Sequence, residues 1–197
     1  MTAVIPNEVR NPMNHELKQL IESDMKRVYD LPLSFKQKFF FPLQMKYLRL
    51  WRQASYYRKK GGLKGKLLAL KLEKLTERTH ILIPPEVNAG PGLYIGHLGR
   101  IIIHPDAVLG RNVNLSTGIT IGQANRGKKK GTPVIGDDVW IGTNAVIVGN
   151  IRIGNDVMIA PGAYVNFDVP DHSLVMGNPG VIHEKENATE GYINRKV

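Results

Sequence analysis

Cysteine is absent from the 197 residues, which excludes a disulfide framework, thiol catalysis and cysteine-ligated zinc. No apolar run reaches the ~18 residues of a transmembrane helix. The opening stretch MTAVIPNEVRNPMNHE lacks the basic-then-apolar layout of a secretion signal, so a cytoplasmic location is the expectation. Aromatic residues make up only 7% and charged residues 22%, while 42% are hydrophobic. That balance fits neither a disordered chain nor a membrane bundle, and the length suffices to bury a core.

Acidic residues are scarce in the first eighty positions, which hold 17 Lys and Arg against 7 Asp and Glu. Positions 81–197 hold 10 of each, so the whole formal charge of +10 belongs to the first two-fifths of the chain. Glycine shows the opposite bias, with most of the 20 lying beyond residue 88. Two differently built regions are implied.

The first, residues 1–80, reads as helical. Asn11 and Pro12 supply an N-cap and a first-turn proline, and Leu17, Leu20, Ile21, Met25 and Val28 follow at near-helical spacing. Ser34 is a second N-cap candidate, before a run to about residue 60 that Pro42 must kink or divide. Gly61 and Gly62 end it, and a third helix carries Leu67, Leu68, Leu70, Leu72 and Leu75. Within this region Phe39, Phe40, Phe41, Tyr47, Leu50, Trp51, Tyr56 and Tyr57 interleave with Lys36, Lys38, Lys46, Arg49, Arg52, Arg58, Lys59 and Lys60. The aromatics either pack on neighbouring helices or another subunit, or make a peripheral contact with an anionic membrane. No nucleic-acid-binding pattern accompanies the charge, and no nucleic-acid partner is expected.

The second region has a six-residue period. Ile135, Ile141, Ile147, Ile153, Ile159 and Val165 are in phase, as are Ile103, Leu109, Leu115 and Ile121, and Ile83, Ala89, Ile95 and Ile101. Small or β-branched residues recur four places after the aliphatic, as at Val113, Ile119, Val139, Ala145, Ile151, Val157 and Ala163. No α-helix has this period. It fits a solenoid of short parallel strands and tight corners, whose coils bury their faces only against one another. The phase slips by two between Ile101 and Ile103, so one turn holds eight residues. Between Ile121 and Ile135 eight extra residues intervene, and residues 123–133, QANRGKKKGTP, must leave the solenoid as a loop.

The hexads beginning at Ile135, Ile141 and Ile153 (IGDDVW, IGTNAV and IGNDVM) resemble those of the hexapeptide-repeat acyltransferases. The similarity is greatest to the serine acetyltransferase branch, which includes polysaccharide O-acetyltransferases. It covers residues 83–182, with the eight-residue turn, the loop and the closing Gly177-Asn178-Pro179. The resemblance implies an all-β left-handed parallel β-helix at 81–176, after the α-helical region and before a closing segment and tail at 177–197. It also implies a homotrimer with acetyl-CoA between neighbouring β-helices, and no metal.

A near-neutral imidazole can deprotonate a hydroxyl as it attacks a thioester. His97, in Ile95-Gly-His-Leu-Gly-Arg100, stands where the resemblance implies the catalytic base. His104 is the second candidate, better read as a corner residue. Arg126, Lys128, Lys129 and Lys130 put four cations into the loop, where they could meet phosphates of acetyl-CoA. The resemblance also implies that Gly122, Gly142 and Ala160 let backbone approach the cofactor and offer N–H groups. Departures bear on the acceptor. Serine acetyltransferases carry Asp where this chain has Leu82 and Gly96, and an Arg-His pair where it has Gly131-Thr132. These losses favour a sugar or polysaccharide-precursor hydroxyl over serine, which needs charged partners at both ends. The competing classes are serine O-acetylation, a three-histidine metalloenzyme on the same scaffold, and a non-catalytic trimeric scaffold.

Overall fold

The computed structural model of the chain describes residues 12–29, 34 and 41–197. Three helices occur among them: α1 (Pro12–Lys26), α2 (Leu43–Lys60) and α3 (Leu63–Thr79). The expected Asn11 cap and the helical start after Ser34 fall outside the described residues. Pro42, with φ −53° and ψ 152°, sits at the N-cap of α2, so the helix begins after it and is not kinked by it. His80 closes α3 in the left-handed conformation (φ 58°), donating its N–H to Thr76 O.

From Ile81 onward the chain winds through short strands in a fixed rotation among three sheets. The first sheet stacks β1 (Ile81–Leu82), β4 (Ile101–Ile103), β7 (Thr120–Gly122), β10 (Val146–Val148) and β13 (Tyr164–Val165). The second stacks β2 (Asn88–Ala89), β5 (Val108–Leu109), β8 (Val134–Ile135) and β11 (Arg152–Ile153). The third stacks β3 (Tyr94–Ile95), β6 (Asn114–Leu115), β9 (Val139–Ile141), β12 (Val157–Ile159) and β14 (Ser173–Met176). Its last member, β15 (Val181–Glu184), pairs antiparallel with β14 and ends the parallel stack. All other strand pairs are parallel, and their registers superpose the in-phase aliphatics: Ile103 on Ile121 on Ile147 on Val165, and Leu115 on Ile141 on Ile159 on Val175. These side chains are buried, as are Val113, Ile119, Ala145 and Ala163 at the corners. The six-residue period is thus one residue set per face, repeated three times per coil.

The first coil would leave an open apolar end, which a solenoid must cap. Here the helices do so, and their buried residues join one continuous hydrophobic core with the solenoid. Tyr47 Oη accepts the N–H of Ile83 (3.0 Å), and Trp51 Nε1 donates to Pro84 O (3.0 Å). Arg52 forms a buried two-point ion pair with Asp24 (2.8 and 3.0 Å) and also donates to Ala89 O and Gly90 O. Asp24 in turn accepts the N–H of Leu93. Burial pushes the Asp24 carboxyl above its ordinary pKa, opposed by the neighbouring Arg52. Tyr47 and Trp51, the aromatic centre of the basic stretch, therefore face the solenoid.

Candidate active site

Each coil turns three corners, and equivalent corners stack into three edges of a prism. Along the edge between the third sheet and the first, Gly96, Ser116, Gly142 and Ala160 occupy equivalent places after Ile95, Leu115, Ile141 and Ile159. His97 stands at the head of this edge. From Ile95 to Ile103 the chain takes eight residues where Leu115 to Ile121 takes six, and the surplus lifts His97 onto an exposed turn. Its imidazole makes no hydrogen bond with the described residues. The turn beneath it is held by Gln44, whose Nε2 donates to Gly96 O at 3.2 Å. A Cβ on Gly96 would come within 3.1 Å of the Tyr94 ring, so an aspartate there would require that ring to move. Gln44 was not legible as a site residue, because it lies far from any motif and meets the turn only through the fold; Tyr94 stands two residues before Gly96, but nothing in the sequence shows that its ring lies against that glycine.

Gly142 and Ala160 share the His97 edge, but their N–H groups donate to Ile159 O and Val175 O (both 2.8 Å). These amides are engaged in the coil ladder and are not offered outward. Gly142 is also sterically obligatory, since a Cβ would lie 2.6 Å from Pro161 N.

The cationic loop emerges at a different edge, between the first and second sheets, from Gly122 to Val134. An antiparallel bridge between Ala124 and Gly131 closes its base. Lys129 is anchored: its Nζ lies 2.7 Å from Asp168, holding that carboxyl below the ordinary range, and its carbonyl accepts Asn150 N–H. Arg126, Lys128 and Lys130 are exposed. Gly131 has φ 130° and its Cβ would meet Asn150 at 2.9 Å, so no arginine fits there without rearrangement. Thr132 Oγ1 donates to Asp106 O (3.2 Å), and Asp106 N–H donates to His104 Nδ1 (3.2 Å). His104 is therefore a corner residue beside the loop base, on another edge from His97. Gly122 is conformationally ordinary, and the nearest atom to an added Cβ would be Val148 Cγ1 at 3.4 Å. Among the described residues nothing requires glycine at this position. One chain thus brings His97, Gly142 and Ala160 to one edge, and Gly122, Arg126, Lys128, Lys129 and Lys130 to another.

The third edge is covered by the C-terminal residues, which run back up the solenoid. Asp156 accepts the N–H groups of Ala188 and Thr189 and the Thr189 hydroxyl (2.7 Å), as well as His172 Nδ1 (2.9 Å). Burial opposes the Asp156 charge, but these hydrogen bonds outweigh it and lower its pKa, while the bond to Asp156 raises that of His172. Farther up, Tyr192 packs on Trp140 (4.9 Å between rings), Lys196 pairs with Asp138 and Arg27 donates to Asn194 O. Among the described residues no group of three or more His, Asp or Glu could hold a metal ion.

The family model for the bacterial transferase hexapeptide, six repeats, matches residues 132–166. The crystal structure of serine acetyltransferase from Neisseria gonorrhoeae in complex with serine superposes with a TM-score of 0.71 at 31% identity, covering 86% of this chain and 70% of that one. The chain belongs to the hexapeptide-repeat transferases. Its solenoid is the left-handed parallel β-helix of that family. Serine acetyltransferase from Brucella abortus strain S19 in complex with coenzyme A is similarly close, with a TM-score of 0.72, 26% identity, and coverage of 87% and 69%. In sequence, serine acetyltransferase 4 of Arabidopsis thaliana is 38% identical over 132 residues, 66% of this chain. The chain spans only about a third to a half of the length of the first curated relatives, from 34% to 47%.

Proposed function

We propose that this hexapeptide-repeat transferase is an acetyl-CoA-dependent O-acetyltransferase of the serine acetyltransferase type, with His97 as general base and L-serine as acceptor. The observation that carries the reading is the His97 turn: a surplus of two residues in an otherwise regular coil presents one exposed imidazole with no partner in the described chain, on a fold similar to serine acetyltransferases. Acetyl-CoA supplies an activated thioester. His97 takes the hydroxyl proton of the acceptor as its oxygen adds to the thioester carbonyl, and the same proton is available to the departing thiolate. No covalent enzyme intermediate is needed.

Gly122 supports a cofactor approach at the loop edge, because no contact among the described residues explains the missing side chain. Arg126, Lys128 and Lys130 are the cations available to phosphates, with Lys129 holding the loop in place. Since His97 and the loop occupy different edges, a homotrimer in which the His97 edge of one subunit faces the loop edge of the next would complete the site.

The relatives and solved structures favour serine over the sugar hydroxyl anticipated from the sequence, and none of those described above names a sugar. A sugar acceptor remains the second reading, carried by a specific feature: Leu82 and Gly96 supply no carboxylate, Gly131 pairs with Ala124 and has Asn150 where a side chain would go, and Thr132 is committed to Asp106. The deciding measurement is kcat/KM for L-serine against a panel of sugar acceptors, read as thiol release from acetyl-CoA. The proposal expects serine turnover near 10⁴ M⁻¹s⁻¹ or above, about the lower end for an enzyme's own substrate. His97→Ala should lower kcat by about 10²–10⁴-fold with little change in acetyl-CoA affinity; activity within threefold of the parent, an effect of about 0.65 kcal/mol, would remove His97 from the mechanism.

A further inference from the structure

A helix that only packs on its own protein needs one apolar stripe, and α3 has two. Gly65, Leu68, Leu72, Leu75 and Thr79 form the stripe turned toward α2 and β1. On the opposite side Leu63, Leu67 and Leu70, spaced as successive turns of one face, are 71%, 50% and 58% exposed. No other three large apolar residues among the described exposed ones share a helix. Gly61 and Gly62, both at positive φ with open space around them, turn the chain so that Leu63 projects at the corner between α2 and α3.

The charge around this stripe is predominantly positive. Between residues 43 and 79 there are eleven Lys and Arg and two Glu. Lys64, Lys66, Lys71 and Lys74 flank the exposed leucines on α3, and Lys59 and Lys60 adjoin them at the corner. Tyr56 and Tyr57 are half-buried beneath these cations, with Lys60 Nζ 4.7 Å from the Tyr56 ring and Lys64 Nζ 3.8 Å from the Tyr57 ring. Leucines at the crest, tyrosines at the waist and lysines around the rim match the depth profile of a bilayer interface.

We propose that the outer face of α2 and α3 is a docking surface for an anionic lipid bilayer, with Leu63, Leu67 and Leu70 entering the acyl boundary. A second copy of this chain is the poorer occupant, since it would bring the same cationic rim against itself. Nucleic acid would use the lysines and leave the leucine stripe in water. The lipid surface uses both features at once, and it differs from the aromatic face of α2, which is occupied by the solenoid. This proposal is independent of the acyl-transfer reading.

The test is flotation of the full chain with vesicles of phosphatidylcholine alone and with about one-third phosphatidylglycerol. Binding is expected only to the anionic vesicles, weakening as salt screens the lysines. Neutralising Lys66, Lys71 and Lys74 to Gln should reduce partitioning by about 100-fold, since each cation near the surface contributes about fivefold. Leu63→Ser, Leu67→Ser and Leu70→Ser together should reduce it at least tenfold, about the loss for three partly inserted leucines. A separate Leu67→Trp variant needs no loss of apolar surface and should show blue-shifted fluorescence on the anionic vesicles. Absence of vesicle binding by the parent, equal binding by the leucine variant, or an unshifted tryptophan would each overturn the proposal. So would a smaller assembly for the leucine variant in light scattering, or duplex-DNA binding that survives the leucine changes while vesicles do not bind.

Discussion

The interior of the β-helix and the interior of the helical region use different chemistry. Along the solenoid axis Ile103, Ile121, Ile147 and Val165 stack in register with no ionised group among them. Beneath the helices Asp24 and Arg52 are buried beside Trp51, and Arg27 is buried against Tyr94. A repeated coil satisfies its backbone through the neighbouring coil, so its side chains need only shape. The cap meets a coil end whose carbonyls at Ala89, Gly90 and Gly92 have no next strand, and arginines supply the donors that a strand would have provided. The cap is therefore specific to one surface, whereas each coil is a variation on the next.

The largest way to break this contrast is at Asp24. Asp24→Ala leaves Arg52 buried without its carboxylate and should cost about 3–5 kcal/mol in chemical denaturation. Replacing the pair together, Asp24→Leu with Arg52→Met, should recover part of that loss while leaving the Ala89 and Gly90 carbonyls unpaired. If the single and double variants are equally stable, the ion pair is not what holds the cap.

On the solenoid side the sharpest comparison is between two glycines. Gly142→Ala drives a methyl against the backbone of the next coil and should destabilise by about 1–3 kcal/mol. Gly122→Ala meets only ordinary contacts and should change stability by no more than about 0.5 kcal/mol, yet raise the KM for acetyl-CoA several-fold. Thermal unfolding and steady-state kinetics on the pair would separate packing from cofactor approach. A fall in stability for Gly122→Ala with unchanged KM would assign that glycine to the scaffold.

Within the loop, neutralising Arg126, Lys128 and Lys130 should raise the KM for acetyl-CoA with little effect on kcat or unfolding. Lys129→Ala should affect both KM and loop order, since it also frees Asp168. Equal behaviour of all four would mean that anchoring by Asp168 does not matter.

The smallest expected effect is a pH dependence of the C-terminal strap. Asp156, lowered from its ordinary 3.8, contributes stability above that value that is lost as pH falls through its folded pKa. His172, raised from 6.5, contributes below that value and loses its contribution as pH rises through its folded pKa. Docking should be firmest between those limits, followed through the indole NMR resonance of Trp140 against Tyr192. Asp156→Asn should remove the acid limb and His172→Gln the alkaline one; a flat profile in the parent would show that the strap is held by its other contacts.

The periodic half was readable because one inward position every six residues is a local rule, and both interruptions of that rule are visible as arithmetic. The surplus around Ile101 marks the turn beside His97 and the excursion after Ile121 marks the loop, while the family resemblance singled out His97 itself. The helical half gave up its helices but not their orientation. Tyr47 and Trp51 carry the same residue types as a membrane-facing stripe, and only the coil end at Ile83 and Pro84 decides that they face inward. The outward stripe of α3 was equally hidden, because Leu63, Leu67 and Leu70 look like core leucines until Leu68 and Leu72 are seen to take the inner face.

By itself the sequence determined the coil, its inward aliphatic positions, and the two places where the coil is interrupted, since a short period leaves few ways to bury its aliphatics. Tertiary structure alone decided which interruptions share an edge. It put His97 with Gly142 and Ala160, and His104 with the loop base. It also bound Gln44 to Gly96 and the C-terminal strap to Asp156. Those relations join residues far apart in the chain, and contacts of that range carry no spacing that a linear sequence could display.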